Sequence, residues 1–179
     1  MEIKGLSDKI WLIEDFLTPT ECDDLIIFSE QKGYSEADVG LSSGAKMMKN
    51  VRDNDRLIYE DRKLADDLGN KFLSSKHFVV DGIAPLELNK RFRFYRYDSG
   101  QRFKRHIDGR VIIGNIESRV TFMIYLNNDY EGGETKFDHI TIIPKKGLAL
   151  CFIHEQKHES VAITNGVKYV LRSDIMYKI

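Results

Sequence analysis

Only two cysteines, Cys22 and Cys151, occur in 179 residues, and MEIKGLSDKIWLIEDF, where the chain opens, has no basic stretch followed by an apolar one. A disulfide-stapled scaffold is excluded, and a chain this long buries roughly 70% of its unfolded surface without staples. The expectation is one domain over 1–179, cytoplasmic, with both thiols reduced. Nowhere do apolar residues run together for the roughly 18 positions that a membrane helix needs, so no membrane partner is expected. Charge of one sign is lacking too. With 27 basic and 28 acidic residues the net charge is −1, and no global field draws the chain to nucleic acid. RFRFYRY and GQRFKRH concentrate positive charge locally, which suits an anionic small ligand or a peptide better than a duplex. Their Arg91, Arg93, Arg96, Arg102, Lys104 and Arg105 read most simply as solvated strand faces, with contact to an anionic substrate as the alternative. Repeats, low-complexity segments and interdomain linkers are absent as well.

What is present divides near residue 85 into a helical support and a β-rich core, about 1–85 and 86–179. TPTECDDLIIFSEQKG carries Thr18 as N-cap, Pro19 at the first helical position, Glu21 completing a capping box and Gly33 as a stop. Leu25, Ile26 and Phe28 give that helix one face to bury. A second helix is predicted from about Asp61 to Ser74, where Leu64, Ala65, Leu68 and Phe72 recur at helical spacing. Between the two, Gly40 to Arg56 is rich in Gly, Ser, Asn and Asp and reads as a long exposed loop, either a lid over substrate or disordered. From Leu86 onward eight short β-like segments follow one another, separated by Ser-Gly, Gly-Gly, Pro and Asn165-Gly166. That pattern indicates an antiparallel sandwich or barrel, so the fold class is α+β, mainly β, with helices packed outside. EGGET reads as a tight turn whose glycines supply positive φ, and Asn165-Gly166 as a hairpin turn.

Two motifs carry chemistry. In FIHEQKHES, His154 to His158 spells H-E-x-x-H, the zinc-protease signature, which works only on a helix, where i and i+4 share a face. Here an apolar, β-favouring run precedes it and SVAITNG follows, so the context is strand, bend, strand. A zinc protease also needs a third ligand from a later segment, and only Glu159 and Asp174 are offered. In KRHIDGR, His106 and Asp108 stand two apart on a segment read as a strand, which aims an imidazole and a carboxylate at one point. With a distal histidine such as His158, two imidazoles and one carboxylate would occupy one face of an octahedral ion and leave the other open, as in non-haem Fe(II) oxygenases.

Over about residues 92–177, the run FRFYRYDSGQRFKRHIDG, SRVTFMIYLNNDYEGGETKF and IIPKKGLALCFIHEQKHESVAITNGVKYVLRSDIMY resembles the catalytic domain of the 2-oxoglutarate and Fe(II)-dependent dioxygenases of prolyl 4-hydroxylase type. The resemblance implies a double-stranded β-helix, or jelly roll, with supporting N-terminal helices and iron on His106, Asp108 and His158. It implies 2-oxoglutarate and O2 as further cofactors, with ascorbate allowed, and hydroxylation of a C–H bond with release of succinate and CO2. The substrate it implies is a peptide, with peptidyl proline as first choice, or a small molecule. In this family a basic residue about ten positions after the last histidine anchors the distal carboxylate of 2-oxoglutarate; His158 and Lys168 are ten apart, whereas His154 would be fourteen away. His154 is then a near-site or surface histidine, and the zinc signature a coincidence. Tyr97 and Tyr125 fall where the family places aromatics beside 2-oxoglutarate, the alternative being plain core tyrosines. Arg172, four residues beyond Lys168, is the rival anchor. A β-sandwich module, or a cupin-like metal-binding protein without turnover, is the competing reading.

Overall fold

The computed structural model describes residues 2–36, 39–41, 44–46 and 53–179, with side chains over 2–35 and 53–179. Helix α1, Pro19–Lys32, starts and stops where its local signals require: Thr18 Oγ1 accepts from Glu21 N at 3.2 Å, Glu21 Oε2 accepts from Thr18 N at 2.7 Å, and Gly33 caps the end with φ 83°. Leu25, Ile26 and Phe28 are half-buried against the core, as expected. Helix α2, Arg62–Asn70, is capped by Asp61 and ends earlier than predicted, because the chain tightens after Gly69 and Lys71 N bonds to Leu68 O. Phe72 nevertheless reaches the core, stacked on Phe122.

The remaining order is β1 (Glu2–Ser7), β2 (Ile10–Glu14), β3 (Asp55–Glu60), β4 (Arg91–Tyr97), β5 (Phe103–His106), β6 (Ile116–Tyr125), β7 (Thr135–Lys136), β8 (Thr141–Ile142), β9 (Ala149–Ile153), β10 (His158–Ser160) and β11 (Lys168–Lys178). Antiparallel neighbours build a major sheet in the order β1-β2-β9-β6-β11-β4-β3 and a minor sheet in the order β8-β7-β10-β5. This is the expected jelly-roll arrangement, but the helical description of the first half needs correction. β1, β2 and β3 come from it and extend the major sheet at both flanks. Each is a short run; β2 and β3 pair with strands far along the chain, as in Cys151 opposite Trp11 and Phe94 opposite Leu57, and β1 joins the edge as the neighbour of β2. The Gly40–Arg56 reading is corrected in part for the same reason. Val39–Leu41 pairs with Gly44–Lys46, and Asp55 and Arg56 open β3, whereas 42–43 and 47–52 lie outside the described residues.

The major sheet is buried on both faces, which explains why its strands read as nearly continuous apolar runs. Alternate residues divide between two cores. Trp11, Ile13, Phe92, Phe94, Val120, Phe122, Ile124, Cys151 and Leu171 face the helices; Leu150, Phe152, Tyr95, Tyr97, Tyr125 and Val170 face the minor sheet. Cys22 and Cys151 are both unpaired and fully buried. The Asn165-Gly166 turn does not close a hairpin: Ile163–Asn165 pairs with Glu131–Gly132, and β11 crosses to the major sheet between β6 and β4. Gly166, at φ 83°, supplies the turn, and the sheet change redirects its strands. Among the described residues no helix is long and apolar enough to cross a membrane.

Candidate metal centre

Between the sheets lies a cavity lined among others by His106, Asp108, His158, Lys168 and Arg172. His106 ends β5 and His158 opens β10, and the two are direct partners across the minor sheet, with ring centroids 4.3 Å apart. Asp108 is not on the strand as expected. β5 ends at His106, and Asp108 sits on the following loop, its backbone N–H bonded to His154 O at 3.2 Å. Its side chain still meets both imidazoles: Oδ1 is 3.5 Å from His106 Nε2 and Oδ2 is 3.9 Å from His158 Nε2. One donor atom from each of the three residues falls within 4.8 Å of the others.

Their protonation fits a cation. His106 Nδ1 is 2.8 Å from Lys104 O and His158 Nδ1 is 2.9 Å from Gln156 O. A carbonyl only accepts, so each Nδ1 carries the N–H and each ring turns its Nε2 toward Asp108. Burial, outweighing the opposite pull of Asp108, lowers the His158 imidazole to about 4. Burial alone would raise Asp108, but Arg172 and the two histidines hold its carboxyl well below the usual range. Two imidazole nitrogens and a carboxylate oxygen therefore converge on one point. Such a cluster is relieved by a divalent ion, and its two-nitrogen, one-oxygen donor set suits Fe(II).

Lys168 lies in the same cavity on β11. Its ammonium donates to Gly133 O at 2.5 Å and Ser160 Oγ at 3.0 Å, and stands 5.4 Å from the ring centres of both Tyr97 and Tyr125. Among the described residues no carboxylate is bonded to it, so burial pulls it down to about 7 against the opposing field of Glu134. A buried amine among neutral oxygens and aromatic rings is a ready anion site. Tyr97 lines the cavity, whereas Tyr125 lies behind it with its hydroxyl bonded to Thr135 at 2.6 Å. Both are thus core tyrosines that also flank the amine.

Arg172 shares the cavity face with Lys168, but its Nη2 is 3.1 Å from Asp108 Oδ2 and 3.2 Å from Asp174 Oδ1. Asp174 also takes Arg93, at 2.9 Å. Arg93 and Arg96 are accordingly not solvated strand faces, since Arg96 pairs with Asp55 at 2.7 Å and with Glu30. Arg91, Arg102, Lys104 and Arg105 are exposed as expected. His154 is the near-site alternative, not a surface residue: it is 1% exposed, just past β9 in a turn, and no helix carries the H-E-x-x-H run. The sequence reading missed Thr121, Thr135 and Ser160, polar residues whose inward direction depends on strand register.

EGGET holds the far end of the cavity. Gly132 and Gly133 have φ of 79° and 71°, and a Cβ on Gly133 would lie 2.5 Å from Ile163 Cδ1, 2.9 Å from Tyr130 Cε2 and 3.2 Å from Lys168 Cδ. Gly133→Ala is expected to cost about 1–3 kcal/mol of stability by urea denaturation, through left-handed strain and crowding together. Because the crowding reaches Lys168, affinity for a carboxylate ligand should fall as well. A neutral outcome on both measurements would contradict the close packing described.

Comparison with known proteins agrees with this geometry. Residues 92–173 match the model of the 2OG-Fe(II) oxygenase superfamily. The chain is 27% identical to prolyl 4-hydroxylase 2 of Arabidopsis thaliana, over 87% of this chain and 60% of that protein, and so spans less than two thirds of its length. The viral collagen prolyl hydroxylase of Paramecium Bursaria Chlorella virus-1, solved with 2OG, superposes with a TM-score of 0.70 at 24% identity, covering 98% of this chain and 100% of that one. A Trichoplax adhaerens prolyl hydroxylase, solved with a hypoxia inducible factor peptide fragment, gives 0.73 at 18% identity over 94% of this chain and 84% of that one. These likenesses show a common fold, and over residues 92–173 the chain is similar to the 2OG-Fe(II) oxygenase superfamily, with an architecture like that of the prolyl hydroxylases.

Proposed function

We propose that this protein is an Fe(II)- and 2-oxoglutarate-dependent dioxygenase that hydroxylates a C–H bond, with peptidyl proline as the first substrate class. The observation that carries the reading is one cavity holding three converging donors at one end and, at the other, a buried amine that no carboxylate among the described residues holds. Iron, 2-oxoglutarate and O2 supply the oxidising chemistry, in which 2-oxoglutarate becomes succinate and CO2 as the substrate gains a hydroxyl. His106, Asp108 and His158 would hold the metal. Lys168 would take the distal carboxylate, with Ser160 and Tyr97 beside it, while Phe152, Val170 and Met123 keep water from the space between. A peptide substrate agrees with the peptide bound by the Trichoplax relative.

The test is a succinate-release screen with Fe(II), 2-oxoglutarate and ascorbate against proline-rich peptides, free amino acids and cell extract. Mass spectrometry then looks for the gain of one oxygen. Release stimulated by proline-rich peptides, with that gain on proline, is the expected result; stimulation by free amino acids alone would replace the peptide assignment. Absence of any 2-oxoglutarate binding would favour the turnover-free metal-binding module.

The pH dependence has a definite sign. Lys168 in the empty site loses its proton through about pH 7, whereas a bound dianion requires the ammonium and holds it. Ligand binding therefore takes up a proton above that pH. Apparent 2-oxoglutarate affinity is expected to fall by up to about tenfold per unit between pH 7.5 and 9, measured by calorimetry in buffers of different ionisation heat. A flat profile would mean that the anion is not paired with Lys168.

A further inference from the structure

The zinc-like signature leaves one histidine without an assigned task. His154 lies outside the cavity lining, yet all of its side-chain polar atoms are bonded: Nε2 is 2.9 Å from Ser118 Oγ and Nδ1 is 2.9 Å from Thr121 Oγ1. Thr121 Oγ1 is in turn 2.6 Å from Asp108 Oδ2. Proton counting gives this chain one direction. An ionised carboxylate only accepts, so Thr121 spends its hydroxyl hydrogen on Asp108 and must receive one from His154 Nδ1. His154 Nε2 is then an acceptor. Ser118 Oγ already accepts from Val111 N at 2.8 Å and has its own hydrogen free to donate there. Ser118, His154, Thr121 and Asp108 thus form a closed series of donations among side chains that are all under a tenth exposed.

A bulge makes the series possible. In a regular strand, residues 118 and 121 point to opposite faces. Here Ser118 pairs with Met176 and Val120 with Ile175, so β6 advances two residues while β11 advances one. The extra residue shifts the alternation, and both hydroxyls bracket one imidazole.

Asp108 Oδ2 receives Thr121 and, at 3.1 Å, Arg172 Nη2, and lies 3.9 Å from His158 Nε2; Oδ1 lies 3.5 Å from His106 Nε2. We propose that His154 is a positioning residue: through Thr121 it fixes the Asp108 carboxylate with Oδ2 engaged, so that Asp108 presents Oδ1 alone to the metal. A carboxylate binding through both oxygens would occupy one more coordination position and leave fewer for 2-oxoglutarate and O2. This inference rests on the iron reading above.

The test uses full-length, metal-free protein titrated with Co(II), following visible absorption, with thermal melting as the control for folding. Thr121→Val, which keeps the shape and removes the hydroxyl, and His154→Leu should each weaken Co(II) binding by about tenfold or more and change the absorption of the loaded site. The double variant should be no weaker than the worse single one, since both break the same series. His154→Asn, which keeps an N–H near Nδ1, should recover most of the affinity even where His154→Leu folds poorly. Unchanged Co(II) affinity and absorption in folded Thr121→Val would overturn the inference, as would an Asn variant no better than Leu. Failure of the natural protein to take up Co(II) would instead end the iron reading itself.

Discussion

Alanine at His106, Asp108 or His158 is expected to remove metal binding and with it 2-oxoglutarate-dependent turnover, while the fold survives. The three side chains meet within 4.8 Å and each supplies one donor, and among the described residues no other such group stands ready to replace a lost one. Partners that merely orient a ligand typically cost 10–100-fold in metal affinity, so loss of a ligand itself should exceed roughly a hundredfold. His106 is half-buried and His158 buried, but both line the cavity and neither belongs to the two apolar cores. Asp108→Ala differs in one respect. It strands Arg172, whose buried guanidinium then has Asp174 as its remaining carboxylate, and a fall in melting temperature should accompany it. The comparison with His154 separates two explanations of the signature. His154→Ala should weaken the metal and His158→Ala should eliminate it. The reverse order would mean that the metal uses the other histidine.

The parts of this arrangement that were legible from residue order are those whose cause is local. Thr18, Pro19, Glu21 and Gly33 delimit α1 because capping is settled within one helical turn. His106 and Asp108 were readable as a pair because an i, i+2 spacing brings them together whether Asp108 ends a strand or follows one. That Lys168 and Arg172 are rival cations on one strand face was readable from their being four apart. What could not be read is set by register between distant strands. Thr121 stands opposite both Asp174 and Phe152, and Ser118 turns toward His154 only because β6 carries a bulge. β1, β2 and β3 escaped for a related reason. Each is too short to declare itself, and each is a strand because an edge of the major sheet lies next to it.

The same register decides which cation holds the co-substrate. Lys168→Ala is expected to weaken 2-oxoglutarate by on the order of 2–4 kcal/mol, or about thirtyfold to a thousandfold, with Co(II) affinity nearly unchanged. Lys168 opens β11 opposite Tyr97, at the end of the cavity away from the metal ligands, and its ammonium has neutral oxygens as its bonded partners. Arg172, four residues and roughly 13 Å along the strand, is opposite Met123 and Arg93 and already holds Asp108 and Asp174. A guanidinium is the better fork for a carboxylate, but this fork is engaged. Arg172→Ala should therefore act first on the metal and on stability: Asp108 loses a charge that keeps it ionised, and Asp174 keeps only Arg93. Calorimetric titration of 2-oxoglutarate into Co(II)-loaded protein measures the difference, with Co(II) binding and melting temperature determined on the same samples. A large loss of 2-oxoglutarate affinity confined to Arg172→Ala, with the metal site intact, would transfer the anchor to Arg172. Equal affinity in both variants would place the anion elsewhere in the cavity and leave the buried amine of Lys168 without the partner that its burial calls for.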